Sequence, residues 1–143
     1  GGAPIGCMLA KDEFAESFTP GTHGSTFGGN PLVCAAAIAA LHAILEDGIL
    51  PRTVEMGAYL ISRLEQLAEK YSCVDAVRGI GLMVGMSLTI PGAEIVNKGH
   101  QRGVLLNVVH DNVLRFVPPL VVEKADIDRM IELLDGILAE VSI

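Results

Sequence analysis

Positive charge is scarce in this chain: 10 lysines and arginines stand against 17 aspartates and glutamates, a formal net charge of −7. The acidic residues are spread along the sequence and no basic cluster interrupts them, so neither nucleic acid nor an anionic membrane surface is expected as a partner. Cysteine is sparse as well. Cys7, Cys34 and Cys73 are odd in number, far apart, and in no Cys-x-x-Cys or His-paired pattern. That usage fits buried thiols in a reducing compartment, with cytoplasmic localisation and no metal. A long hydrophobic run is also missing: the uncharged stretch from Pro31 to Leu45 falls short of a bilayer span and reads as a buried helix. No basic segment precedes an apolar core at the start, so no secretory signal is expected. The opening Gly1-Gly2-Ala3-Pro4-Ile5-Gly6 lacks an initiator Met and is turn chemistry, which leads to the expectation of a piece of a longer protein.

What is present suffices for a core, since half of the 143 residues are hydrophobic. Ile5 to Ala10 reads as a short buried strand. From Thr19 to Asn30 the run TPGTHGSTFGGN loses all hydrophobic period and is a loop. Asn30-Pro31 supplies an N-cap and a first-turn proline for an alanine-rich helix ending near Glu46-Asp47-Gly48. Being apolar all round, that helix should be buried on all sides. A second helix starts near Pro51 with Val54, Gly57, Leu60, Ile61, Leu64, Leu67, Ala68 and Tyr71 on one stripe. From Val74 the period shifts towards two, broken by Gly79, Gly81 and Gly85: a strand, a tight glycine turn and a second strand. A short helix over 93–101, a strand from Val104 to Val109, a turn at His110-Asp111-Asn112 and a strand from Val113 to Val117 follow. An amphipathic helix over 124–141 closes the chain. The order predicts an α+β domain in which helices cover one face of a short sheet.

Two places carry chemistry. Gly24-Ser25-Thr26-Phe27-Gly28-Gly29 offers two hydroxyls and unshielded backbone N–H groups just before a helix amino terminus, a set suited to phosphate. It is neither a P-loop nor a G-x-G-x-x-G turn, and spacing alone favours the plainer alternative, a glycine-rich surface loop with an ST-turn. Arg115 stands between Leu114 and Phe116, a costly choice for a core and a good one for an anion site; the plainer alternative is an edge-strand arginine in water. His23 and His110 sit in loops without a nucleophile beside them, and His42 and His100 fall in helices, so all four read as structural or solvated.

PGTHGSTFGGNP, the opening GGAPIG, VRGIGLMVGM and LRFVPPL occur in this order over nearly the whole chain. Together they resemble the class III pyridoxal-phosphate aminotransferases, most closely the acetylornithine type. The resemblance implies the C-terminal small domain of a fold-type I transferase (47–143) preceded by the tail of the large cofactor-binding domain (1–46), with its phosphate loop and inter-domain helix. It implies that Ser25 and Thr26 bind the pyridoxal 5′-phosphate of the partner subunit across a homodimer interface made by the large domain. It implies that Arg115 grips the carboxylate of the amino-acid substrate. The implied reaction moves an amino group between N-acetylornithine and 2-oxoglutarate in arginine biosynthesis. Ornithine, succinylornithine and 4-aminobutyrate enzymes of the class are alternatives, as is a non-catalytic dimerisation module.

The sequence departs from the family pattern in one respect. The Schiff-base lysine would precede Gly1, and Lys11, Lys70, Lys98 and Lys124 lie outside its motif. No catalytic residue is therefore expected within the chain, which alone should be inactive.

Overall fold

The computed structural model describes residues 2–142 and divides into two units between Gly48 and Ile49. Gly1, first residue of the opening motif, lies outside the described residues.

The first unit holds a single turn of helix, α1 (Asp12–Ala15), and the long helix α2 (Pro31–Glu46). The start of α2 is as the sequence dictates: the Asn30 side chain accepts a hydrogen bond from Val33 N at 3.2 Å, and Pro31 occupies the first turn, where no N–H is missed. Two expectations fail here. Ile5 to Ala10 forms no strand and is exposed, because an apolar run becomes a strand only beside another strand, and none is found among the described residues of this unit. Nor is α2 buried on all sides: of its described residues only Val33 is buried, while Leu32, Ile38, Leu41 and Leu45 are exposed. A helix apolar on every side needs apolar surface around it, and the described residues of this unit supply only one helical turn and loops.

The second unit is a four-stranded antiparallel sheet with three helices. α3 (Ile49–Lys70) leads into β1 (Val74–Ile80) and β2 (Met83–Leu88); α4 (Ala93–Gln101), β3 (Asn107–Val109), β4 (Val113–Phe116) and α5 (Lys124–Val141) follow. The strand order is β1-β2-β4-β3. Alternation along β2 and β4 sends Val84, Met86, Leu88, Leu114 and Phe116 inward, where they join Leu60, Leu64 and Leu67 of α3, Ile95 of α4 and Ile131, Leu134 and Leu138 of α5 in one core. Helices therefore cover one face of the sheet, the predicted α+β arrangement. The predicted stripe on α3 holds from Gly57 onward. Val54 is exposed and Met56 takes the inward place near the helix start.

Turns are set by backbone chemistry. Gly81 has φ +53°, and Ile80 pairs with Met83 across it. His110 and Asp111 take φ of 50° and 62°, a region that His and Asp enter more readily than most residues, and this makes the β3–β4 hairpin. β3 starts at Asn107, later than the expected Val104, since Gly103 (φ +81°) and the residues after it run as a loop.

Ion pairs fasten α5 to its neighbours. Lys70 Nζ lies 2.7 Å from Asp135, which also accepts from Tyr71 Oη at 2.8 Å; Glu140 holds Lys98 Nζ at 2.9 Å and the guanidinium of Arg102. Hydrogen bonds from Lys70 and Tyr71 lower the Asp135 pKa, and those from Arg102 and Lys98 lower that of Glu140. A carboxylate whose folded pKa is depressed stabilises the fold above its unfolded pKa and loses that contribution as pH falls through the folded value. The contribution of these two carboxylates should thus be fully present at about pH 5 and decline below the ordinary carboxylate range near 4, by a small amount because the pairs are solvent-screened. Urea midpoints between pH 3 and 6 check this, with Asp135→Asn expected to flatten the acid limb.

Candidate functional site

The phosphate-like loop of the first unit is organised by its own hydroxyl. Gly28 N donates to Ser25 Oγ at 2.9 Å, and a Cβ on Gly28 would lie 2.9 Å from that same Oγ, so a larger residue there would displace the Ser25 side chain. Asn30 Nδ2 donates to Phe27 O at 2.9 Å and ties the loop to the cap of α2, while Gly29 takes φ +72°. Ser25 Oγ uses one acceptor site on this turn and keeps its proton for an outside acceptor. Thr26 is exposed, and its hydroxyl has no hydrogen-bond partner among the described residues.

These donors fit one side of a phosphate such as that of pyridoxal phosphate: two hydroxyl protons on adjacent residues, flanked by Gly24 before them and by Gly28 and Gly29 after Phe27. No cation stands among residues 24–30, so the balancing charge must come from other groups.

Arg115 is placed by the alternation of β4. Leu114 and Phe116 point into the core, which sends Arg115 to the open face of the sheet. It is not an edge-strand arginine, because β4 pairs on both sides, with Gly85 of β2 and Asn107 of β3 as the Cα partners of Arg115. The guanidinium is exposed and forms no hydrogen bond or ion pair among the described residues, so its donors are free. Arg115 also borders a cavity of about 700 Å³ in this unit, lined mainly by apolar groups such as Leu105, Val117, Pro118 and Met130. The arrangement can hold a carboxylate at the guanidinium and an aliphatic chain beside it.

Three of the four lysines are poor nucleophile candidates. Lys70 and Lys98 are raised above their ordinary pKa by hydrogen bonds to Asp135 and Glu140, the opposite of the depression that frees an amine for attack, and Lys124 lies 3.3 Å from Glu55. The histidines are ordinary: His42 Nδ1 is 3.1 Å from Glu46 one turn away, and His100 Nε2 is 3.3 Å from Leu106 O. Ser25 and Thr26 thus adjoin in the first unit, and Arg115 stands in the second. Sequence reasoning passed over Arg78, which the strand register puts in the same row as Arg115; register follows from pairing, which a sequence pattern alone does not state.

Comparison with known proteins bears directly on these features. The family model described as aminotransferase class-III matches residues 1–138. The acetylornithine aminotransferase of Methanocaldococcus jannaschii is 48% identical over 141 residues, 99% of this chain and 35% of that protein. An ornithine aminotransferase from Geobacillus sp. is 41% identical over 96% of this chain and 34% of its own length. The crystal structure of acetylornithine aminotransferase from Elizabethkingia anophelis superposes with a TM-score of 0.81 at 31% identity, covering 92% of this chain and 34% of that one. The chain spans about a third of the length of the curated relatives it matches. Members of the family depend on pyridoxal phosphate. With a match running from the opening glycines through nearly all of α5, and the sheet and helices of its solved relatives, the chain belongs to the class-III aminotransferases.

Proposed function

We propose that this chain is part of an enzyme that transfers an amino group between N-acetylornithine and 2-oxoglutarate, a step of arginine biosynthesis, and that it supplies two of the clamps the reaction needs. The carrying observation is Arg115: an unpaired guanidinium on an internal strand, fixed by core residues on both sides and bordering an aliphatic cavity. Its two parallel N–H donors suit a substrate carboxylate, which they hold and orient so that the reacting carbon is presented in one pose. Residues 1–46 belong in this reading to the large domain and 47–143 to the small one. Ser25 and Thr26 donate hydroxyl protons to the phosphate of a cofactor in the partner subunit of a homodimer. The bound cofactor supplies the electron sink and carries the amino group.

N-acetylornithine is favoured as donor because acetylornithine aminotransferases match at 48% identity, while ornithine enzymes at 38–41% keep ornithine as the second reading. Glutamate formed from 2-oxoglutarate by the complete enzyme, measured with N-acetylornithine, ornithine and 4-aminobutyrate in turn, decides between them. The highest kcat/KM is expected for N-acetylornithine, and a higher value for either other donor overturns this choice.

The phosphate clamp has its own test. Thr26→Ala removes a hydroxyl but no core volume, since Thr26 is exposed. Cofactor retention should weaken by about 1.5–3 kcal/mol, the worth of a hydrogen bond to a charged group, with the melting curve of the cofactor-free enzyme unchanged. Equilibrium dialysis of the cofactor from wild type and variant reads this, and equal retention returns Thr26 to a plain turn residue.

A further inference from the structure

The open face of the sheet carries a second free guanidinium. Arg78 is the Cα partner of Gly85, and Gly85 that of Arg115, which in turn faces Asn107. Directly opposed residues of antiparallel strands point to the same face, so one row across the sheet reads Arg78, Gly85, Arg115, Asn107. The rows beside it hold Ile80 and Met83 on one side and Ala76, Ser87, Val113 and Val109 on the other, with no carboxylate in any of them. Asp75, at the bulge between Val74 and Ala76, has no Cα partner in the ladder.

Most other cations of this unit are matched to acceptors: Arg52 to Val122 O, Arg63 to Asp128, Lys70 to Asp135, Lys98 and Arg102 to Glu140, Lys124 to Glu55; Arg129, on α5 and not in the sheet, is the exception among the described residues. Arg78, like Arg115, is exposed and has no such partner among the described residues. Gly85 leaves the strip between the two arginines without a side chain. Two strand spacings separate their Cα atoms by roughly 10 Å, about one Debye length at 0.1 M salt, so a ligand held by one feels the charge of the other.

We propose that Arg78 is a specificity-determining residue that extends Arg115 into an electropositive strip and favours doubly charged acids over singly charged ones. The inference rests on the carboxylate role of Arg115 given above. Because Coulomb energy scales with ligand charge, the factor lost by a dianion on removing Arg78 is the square of that lost by a monoanion.

The test uses the complete enzyme and two inert probes, glutarate and butyrate, whose dissociation constants are measured by calorimetry at low and high salt. At low ionic strength Arg78→Gln should weaken butyrate about twofold and glutarate about fourfold, and both differences should vanish near 0.5 M salt. Arg78→Lys should restore wild-type affinities, because charge rather than guanidinium geometry acts at this range. Equal losses for the two acids, no loss for glutarate, or a lysine variant as weak as the glutamine one overturns the proposal. Arg115→Gln should weaken both acids at either salt. If it weakens neither, the role of Arg115 itself is wrong, and the proposal falls with its premise.

Discussion

In the complete enzyme Arg115→Lys is expected to lower kcat/KM about 30- to 100-fold for both the amino-acid donor and 2-oxoglutarate, with the thermal midpoint nearly unchanged. The magnitude is that of a charge-assisted hydrogen bond lost from a two-point contact, about 2–3 kcal/mol. Lysine keeps the positive charge, but one ammonium cannot reproduce two parallel planar donors. Stability should be spared because the side chain is exposed and unpaired, so no core contact is lost with it. A simple amine without a carboxylate near the reacting carbon should be handled almost as well as by the wild type. Steady-state kinetics on acid and amine substrates, read beside a melting curve, separate a binding role from general damage. Equal loss on every substrate, or early melting, makes Arg115 a structural residue.

The second large effect is on stability. Gly57, in α3, faces the β1–β2 turn so closely that a Cβ there would sit 2.6 Å from Gly81 Cα and nearer still to its carbonyl. Alanine favours a helix over glycine by up to about 1 kcal/mol, but the obstacle here is backbone and cannot rotate away. Overpacking costs about 1–3 kcal/mol, and a backbone obstacle lies towards the upper end, so the clash wins and Gly57→Ala should unfold the second unit several degrees earlier. Gly136, inside α5, provides the control of opposite sign: its added Cβ would meet only Arg102 Nη1, at 3.4 Å. There the helix preference is unopposed, and Gly136→Ala should be neutral or raise the midpoint. If the two substitutions have the same sign, the close approach of α3 to the turn is not what requires glycine at position 57.

The second unit was legible in the sequence because each of its elements turns one face inward. α3 and α5 show a stripe at helical spacing, and β2 and β4 alternate strictly enough that Val84, Met86, Leu114 and Phe116 declare their face. The glycines that break the period mark the tight turn at Gly81, and Gly79 lets the strands approach closely, since a Cβ there would lie 2.8 Å from Val84 Cα. The first unit was legible only where local chemistry decides, as at the Asn30 cap. Burial of α2 and a strand at Ile5 to Ala10 were inferred from hydrophobicity alone, and hydrophobicity states a preference for burial without supplying the surface that buries. The site divides in the same way. Ser25, Thr26 and Arg115 stand out by residue type against their neighbours, whereas Arg78 gains meaning only once the register aligns it with Gly85 and Arg115.

The central claim is that this chain contributes the carboxylate grip and the phosphate hydroxyls of an amino-transfer site. A crystal structure of the complete enzyme with cofactor and glutarate bound tests it most directly. The account predicts a carboxylate of glutarate on two nitrogens of Arg115 at about 2.7–2.9 Å, and Ser25 and Thr26 hydroxyls within hydrogen-bond distance of the phosphate held by the partner subunit. Glutarate bound elsewhere with Arg115 left in solvent, or a phosphate without contact to either hydroxyl, would contradict it.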